Sequence, residues 1–397
     1  NVRKLIKNGR YNNIIEALYV SKIIRKVAGI SIFVLKVTPD NQIIRQFTLF
    51  GFTFFLLWYS LYFYSTYIAH IYDQTILRTI YNTKVQRYGD DFERIASSLY
   101  VMFAMWKIPY SFSSSNRFMG VILNVDRAFE NLGERIDYNQ DAKASFIMSI
   151  SQLIIYLIRL FTTWASLSYL NVPMQSERMF QVMYSDALAL ISTTHFCFFL
   201  SVVQSRFKYI NKVLEEIKSQ KCWEYKLFVR SNVASVNVQK AVSLQERYIC
   251  QKIKACAKIY GMLYKVTDAT NKMFGILLTF TILLCLCYII LYMFYFMEAT
   301  AAGLFHDVPR YIVFLIYVFW QIFYALGIVV FVVFTCERAV IEVRRNLYKW
   351  AGTSFLNGII SKVPFLLQAK YVSFIAHEII NTDLCPSVTA EVINGTI

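Results

Sequence analysis

Charge is what this chain has least of. Only 17% of its 397 residues are Asp, Glu, Lys or Arg, where a soluble domain carries about a quarter. Thirteen glycines and six prolines are too few for a collagen-like or low-complexity chain. The eight cysteines (Cys197, Cys222, Cys250, Cys256, Cys285, Cys287, Cys336 and Cys385) are scattered, several inside apolar runs, with no metal-ligand spacing. Cys285 and Cys287 face different ways on a helix, so neither a disulfide framework nor a shared metal is expected. The four histidines, His70, His195, His306 and His377, stand far apart. No glycine-rich phosphate loop, G-x-S-x-G or H-E-x-x-H string occurs. The expectation is therefore no enzyme, no catalytic residue, no metal and no cofactor. The opening "NVRKLIKNGRYNN" is basic but lacks the apolar core of a signal peptide.

What is present is apolar surface: 57% of residues are hydrophobic and 17% aromatic. The fold class expected is all-α, a polytopic membrane protein. Six apolar runs of spanning length lie near 46–70, 96–122, 144–171, 179–205, 273–297 and 309–335. The second carries Lys107, Pro109 and "SFSSSN", and the third carries Arg159. A partial seventh opens at 384–397 in "DLCPSVTAEVINGTI", with Asp383 as a cap and Pro386 in the first turn. From Pro386 onward the helix covers about 18 Å of a core about 30 Å thick, so the expectation is that either the segment does not cross or the protein continues beyond Ile397. No internal repeat is visible, which argues against a transporter built from inverted halves.

The basic residues orient the spans. Segments 1–45, 117–143, 206–272 and 338–370 hold about 33 Lys and Arg, and the alternate segments 71–95, 172–178 and 298–310 hold about 6. Positive residues stay cytoplasmic, so the N-terminus is expected inside and, with seven spans, the C-terminus outside. That is the reverse of a G-protein-coupled receptor. The net charge of +16 follows from this bias and from contact with anionic inner-leaflet lipid, without nucleic acid. "FKYINKVLEEIKSQ" is read as an inward continuation of the fourth span, and "SLQERYICQKIKACAKIYGMLYKV" as an inward lead into the fifth. Leu244, Tyr248, Ile253, Cys256, Ile259, Leu263 and Val266 form an apolar stripe at helical spacing, with Lys252, Lys254, Lys258 and Lys265 off it. Packing against the chain's own helices or against another subunit would each bury that stripe.

The string "SLQERYICQKIKACAKIYGMLYKVTDATNKMFGILLTFTILL" resembles the inner helix and fifth span of insect gustatory receptors. "FVVFTCERAVIEVRRNLYKW" is similar to that family's sixth-span exit, and "IEALYVSKIIRKVAGISIF" to its approach to the first span. The family's T-Y-L-x-x-L-x-Q-F signature is expected to follow Ile397, and "TDLCPS" stands where a different lead into the last span is usual. The resemblance implies a ligand-gated, non-selective cation channel of the plasma membrane, homotetrameric or heterotetrameric with related subunits, opened by an extracellular tastant and needing no G protein. Odorant receptors share the architecture. On this reading 1–45 is a cytoplasmic segment, 46–205 a ligand-binding bundle of four spans, and 206–272 a helical anchor. Spans five and six occupy 273–335, a further anchor segment 336–383, and the start of the pore helix 384–397.

Several polar side chains stand out against this apolar background. Arg159 and Asp186 lie at comparable depth in consecutive antiparallel spans, so they are candidates for an internal ion pair or for the polar lining of a ligand pocket. Trp164, Trp320, Gln321 and Tyr324 sit in outer halves of spans, where aromatic faces beside one amide suit a small, partly polar tastant. An interfacial aromatic belt or core packing would use the same residues. His195 is read as a satisfied buried histidine. In the last span Glu391 and Asn394 share a face, with Thr396 off it. Such a face repeated around an axis suits a cation path, and helix–helix hydrogen bonding is its alternative.

Overall fold

The computed structural model describes residues 11, 13–37, 43–76, 84–173, 175–230, 236–301 and 308–351. Glu391, Asn394 and the rest of the expected seventh span lie outside them. The described residues are mostly helical. A short α1 (Ile14–Ala17) and α2 (Tyr19–Val27) lead through a hairpin, β1 (Phe33–Val37) and β2 (Ile43–Phe47), to α3 (Leu49–Ile71). Five long helices follow: α4 (Lys84–Asn131), α5 (Tyr138–Tyr169), α6 (Ser176–Arg230), α7 (Val236–Ala301) and α8 (Val308–Ala351). Each of the six expected apolar runs falls mainly on one long helix, in order. The first run opens on the hairpin strand, and the third overruns the end of α5.

The hairpin corrects the all-α expectation. "FVLKV" and "IIRQF" are rich in β-branched and aromatic residues and flank "TPDNQ", a turn-type composition. The strands pair antiparallel from Phe33 opposite Phe47 to Val37 opposite Ile43. Two tight approaches seat this N-terminal region against α3. Gly29 has φ +74°, and a Cβ there would come within 2.9 Å of the Trp58 ring. At Gly51 a Cβ would lie 2.4 Å from the Ser31 carbonyl oxygen. The Trp58 indole N–H donates to the Val27 carbonyl at 2.7 Å.

Among the described residues four helices are long and apolar enough to cross a membrane: Tyr138–Tyr169, Ser176–Ile217, Arg247–Ala301 and Val308–Val343. α3 and α4, also expected to cross, are outside this group. α3 carries no Asp, Glu, Lys or Arg from Leu49 to Ile71, but its Tyr, Trp and Ser residues dilute its apolar character. In α4, Lys107 and the serines of "SFSSSN" do the same.

The chain divides into two compact units. The first gathers Asn1–Arg117, Tyr138–Phe198 and Thr270–Phe334. Its helices are inverted relative to those of a soluble protein. On α5, Ser145, Ser149, Arg159, Thr163 and Ser166 are buried while Ile147, Ile154, Phe161 and Trp164 are exposed. Apolar residues facing out and small polar ones facing in is the pattern lipid selects.

The second unit gathers Phe118–Asp137, Phe199–Ala269 and Thr335–Ile397. Phe118 stacks on Phe199 at 4.3 Å between ring centroids, and Phe207 meets Tyr260 edge-on at 5.2 Å. The Asn211 amide donates to the Glu342 carboxylate at 3.1 Å. On α7 the buried face runs through Ile249, Cys256, Ile259, Leu263 and Val266. Tyr248, expected on that stripe, is exposed instead, with the Lys252 ammonium 5.0 Å over its ring. Cys250 is disulfide-bonded, a bridge the scattered spacing did not foreshadow, whereas Cys256, Cys285, Cys287 and Cys336 are not bridged.

Candidate functional site

The site is built in the first unit from one face each of α5, α6 and α8. On α5, Tyr156, Arg159 and Thr163 are spaced by three and four residues and share a face. Arg159 meets Asp186 of α6, with both Nε and Nη2 at 2.6 Å from the same carboxylate oxygen. The side chains retain 9% and 14% exposure, so the pair is largely removed from solvent. Tyr324 of α8 lies face-on to the guanidinium, 3.8 Å from its central carbon to the ring centroid. The Tyr156 hydroxyl donates to the Met183 carbonyl at 3.1 Å, tying α5 to the turn of α6 just before Asp186. One turn beyond Arg159, the Thr163 hydroxyl accepts from the Gln321 amide at 3.4 Å. Gln321 and Tyr324, three apart on α8, bring their side chains to the same stretch of α5. Leu190, Cys285, Ala325 and Ile328 pack around Tyr324 as an apolar wall.

This group is polar, enclosed and incompletely bonded. Arg159 Nη1, Gln321 Oε1 and the Tyr324 hydroxyl are buried without a hydrogen-bond partner. Trp320 is half-buried, and its indole N–H is also enclosed and unpartnered. A buried polar atom left unmet costs about 1–3 kcal/mol, so such atoms are few in native proteins and each calls for an explanation. The Arg159, Gln321 and Tyr324 atoms offer one fixed donor (the guanidinium), one fixed acceptor (the amide oxygen) and a hydroxyl that does either. In a separate apolar cluster of the same unit, Tyr292 stands edge-on to Tyr317 at 6.3 Å, and both rings are buried.

The structure thus brings together Arg159, Asp186, Gln321 and Tyr324. Trp164 it does not: that indole is 52% exposed on the apolar side of α5, 6.2 Å from the Phe161 ring. Tyr156 and Thr163 belong to the group and escaped the sequence reading. Helical spacing of minus three and plus four from Arg159 was the signal that would have found them.

A second buried network joins α3, α4 and α6 in the same unit, and its members carried no conspicuous sequence signal. Arg178 donates to Gln181 at 2.6 Å and pairs with Glu93 at 3.7 Å. Gln181 donates in turn to the Ser98 hydroxyl at 2.7 Å. Arg94 donates to the Ala69 carbonyl and to Asp73, at 3.1 and 3.0 Å. His195 accepts from Arg25 at 2.7 Å. Arginine has no acceptor, so His195 Nε2 must carry the lone pair in this contact. Among the described residues no group of His, Cys, Asp and Glu could hold a metal ion.

Comparison with known proteins agrees with this architecture. No curated protein matches the chain. A family model described as "7tm Chemosensory receptor" matches residues 36–347, well over half of the sequence and every element of the site just described. The family is one of receptors rather than enzymes, and the membrane-length helices are of its kind. The chain belongs to the 7tm chemosensory receptor family.

Proposed function

We propose that the chain is a gustatory receptor acting as a ligand-gated, non-selective cation channel, opened by an extracellular tastant such as a sugar or a bitter compound. It crosses the plasma membrane seven times with its N-terminus inside, and assembles as a tetramer of identical or related subunits without a G protein. The ligand seat is the group around Arg159, with Asp186, Gln321 and Tyr324 as its polar wall. Trp164 and Trp320 were candidates for the same role. Of these two, only Trp320 has an enclosed indole N–H suited to it. Glu391 and Asn394 line the pore.

One observation carries the ligand seat: a desolvated Arg159–Asp186 pair whose guanidinium still has an unmet nitrogen, beside an unmet amide oxygen and hydroxyl. Each unmet atom beside a buried ion pair weakens the fold, and a ligand that meets it recovers that loss. A small molecule with one acceptor and one donor beside a ring fits these atoms. It would bias the channel by binding the open state more tightly than the closed one.

The test is whole-cell recording from cells expressing the protein during a tastant screen, with Arg159→Gln and Glu391→Gln beside wild type. The expected result is a cation current that needs no added G protein. Arg159→Gln raises the half-activating concentration tenfold or more at normal surface expression, and Glu391→Gln alters ion permeability. A solute flux without current would overturn the channel in favour of a transporter. An unchanged Arg159→Gln response would move the ligand seat elsewhere. An odorant-type subunit is the alternative within the family, and volatile agonists in the same screen would favour it.

A further inference from the structure

The N-terminal region before α3 holds a charge arrangement that ligand gating leaves unused. Helix α2 reads YVSKIIRKV. At 100° per residue, Tyr19, Ile23 and Val27 form one stripe and Lys22 and Lys26 flank it along a single edge. All three apolar residues are exposed. Arg25 is turned further round and is engaged with His195. Lys36 on β1 is exposed, and the residue opposite it in the hairpin, Ile44, is exposed too. Among the described residues none of Lys22, Lys26 and Lys36 pairs with a carboxylate. Burial, then the neighbouring charges of Lys26, Arg25 and Lys36, push Lys22 down to about 8. These cations therefore repel one another without compensation.

Their position points to the partner. The Lys26 ammonium lies 5.6 Å over the Phe50 ring, at the first turn of α3. From Leu49 onward α3 is free of charge for 23 residues, about 35 Å at helical rise and long enough to cross a membrane. Phe47, Leu49 and Phe50 are exposed, Leu49 to 73%. Exposed apolar surface thus runs from α2 onto the start of a span, with three unpaired ammonium groups along its border. A soluble acidic partner would match the charges and leave this surface in water. Only an amphiphile satisfies both, with anionic phosphate at the lysines and hydrocarbon along the stripe.

We propose that Lys22, Lys26 and Lys36 bind the phosphate-bearing headgroup of an anionic phospholipid in the leaflet facing the basic segments, with its acyl chains covering Tyr19, Ile23, Val27 and Phe50. The proposal rests on α3 being a span, and not on the ligand seat or on channel activity.

The experiment uses the purified chain in a neutral maltoside detergent, with mixed micelles of phosphatidylserine or phosphatidylcholine added. Phosphatidylserine is expected to raise the thermal midpoint by at least about 3 °C, as binding to the folded state alone requires, and phosphatidylcholine to leave it unchanged. The variant Lys22→Gln/Lys26→Gln/Lys36→Gln is expected to keep its midpoint in plain detergent and to lose the phosphatidylserine gain. The arginine counterpart at the same three positions keeps the gain, and serves as the reading if the glutamine variant fails to fold. Native mass spectrometry should show phosphatidylserine retained on wild type and lost from the glutamine variant. An equal gain from both lipids, or an undiminished gain in the glutamine variant, overturns the site. A gain reproduced by inositol hexakisphosphate alone overturns the lipid in favour of a soluble polyphosphate.

Discussion

Each unit of the molecule contains a buried arginine–aspartate pair, and the two are built differently. In the second unit Arg206 and Asp126 are closed off almost completely, with side chains 0% and 2% exposed. Their contact is two-pronged: Nε donates to one carboxylate oxygen at 3.0 Å and Nη2 to the other at 3.2 Å. Neither side chain leaves a buried polar atom unmet. In the first unit Arg159 directs two nitrogens at a single oxygen of Asp186, holds its central carbon over the Tyr324 ring, and keeps Nη1 unbonded. The same two residue types are therefore bonded in two ways. Where the fork is matched prong for prong, desolvation is offset within the protein and the pair is a fastener. Where the match is partial, one guanidinium nitrogen is left over, and that leftover donor is what the proposed ligand seat uses.

Breaking the fastener should have the largest effect. Asp126→Ala removes the Asp126 counter-charge from a fully buried guanidinium and is expected to destabilise by about 3–5 kcal/mol. Fluorescence-detected size exclusion after a heating series reads this as loss of the monodisperse peak at lower temperature. Replacing both partners, Arg206→Met with Asp126→Leu, is expected to restore most of that loss, because no charge is left buried. A double variant as unstable as the single one would show that the pair's hydrogen bonds, and not its charge balance, matter there.

At the open pair the effect moves from stability to response. Asp186→Asn keeps the shape but frees the guanidinium from its counter-charge. It is expected to shift the half-activating ligand concentration at least tenfold, about 1.4 kcal/mol, with less thermal destabilisation than Asp126→Ala. Equal losses of stability at the two sites would erase the distinction between fastener and seat. Tyr324→Phe removes only the unmet hydroxyl and keeps the ring over Arg159. A threefold to tenfold shift is expected if that hydroxyl meets the ligand, with a thermal midpoint equal to or above wild type since a buried unmet group is gone. Trp164→Ala, on the exposed side of α5, is expected to leave ligand sensitivity within about twofold, and titration of the current checks it.

The pattern of long helices was legible because hydrocarbon imposes a length. About twenty apolar residues are needed to cross it, and each of the six runs read from the sequence falls mainly on one long helix. Arg159 and Asp186 were legible too, since a charge in an apolar run is costly enough to be conspicuous. Tyr156 and Thr163 were not, because a tyrosine or threonine in such a run is ordinary and gains meaning only from its neighbour. The hairpin was missed because ten residues of paired strand leave little signal beside a 23-residue apolar helix. Tyr248 was assigned to the wrong face of α7 because adjacent apolar residues, Tyr248 and Ile249, fit one helical stripe almost equally well.

By itself the sequence determined that this is a helical membrane protein and which residues carry its unusual charges, since both follow from one-dimensional counts of hydropathy and charge against a barrier of known thickness. Its membership of the chemosensory receptor family follows from the sequence as well. Only the tertiary structure decided which of two chemically alike ion pairs is complete and which is open. It also decided that Gln321 and Tyr324 join the open one while Trp164 turns away. Those outcomes depend on how helices distant in sequence are rotated against one another. That rotation is set by packing among side chains of similar hydropathy, which a one-dimensional pattern does not distinguish.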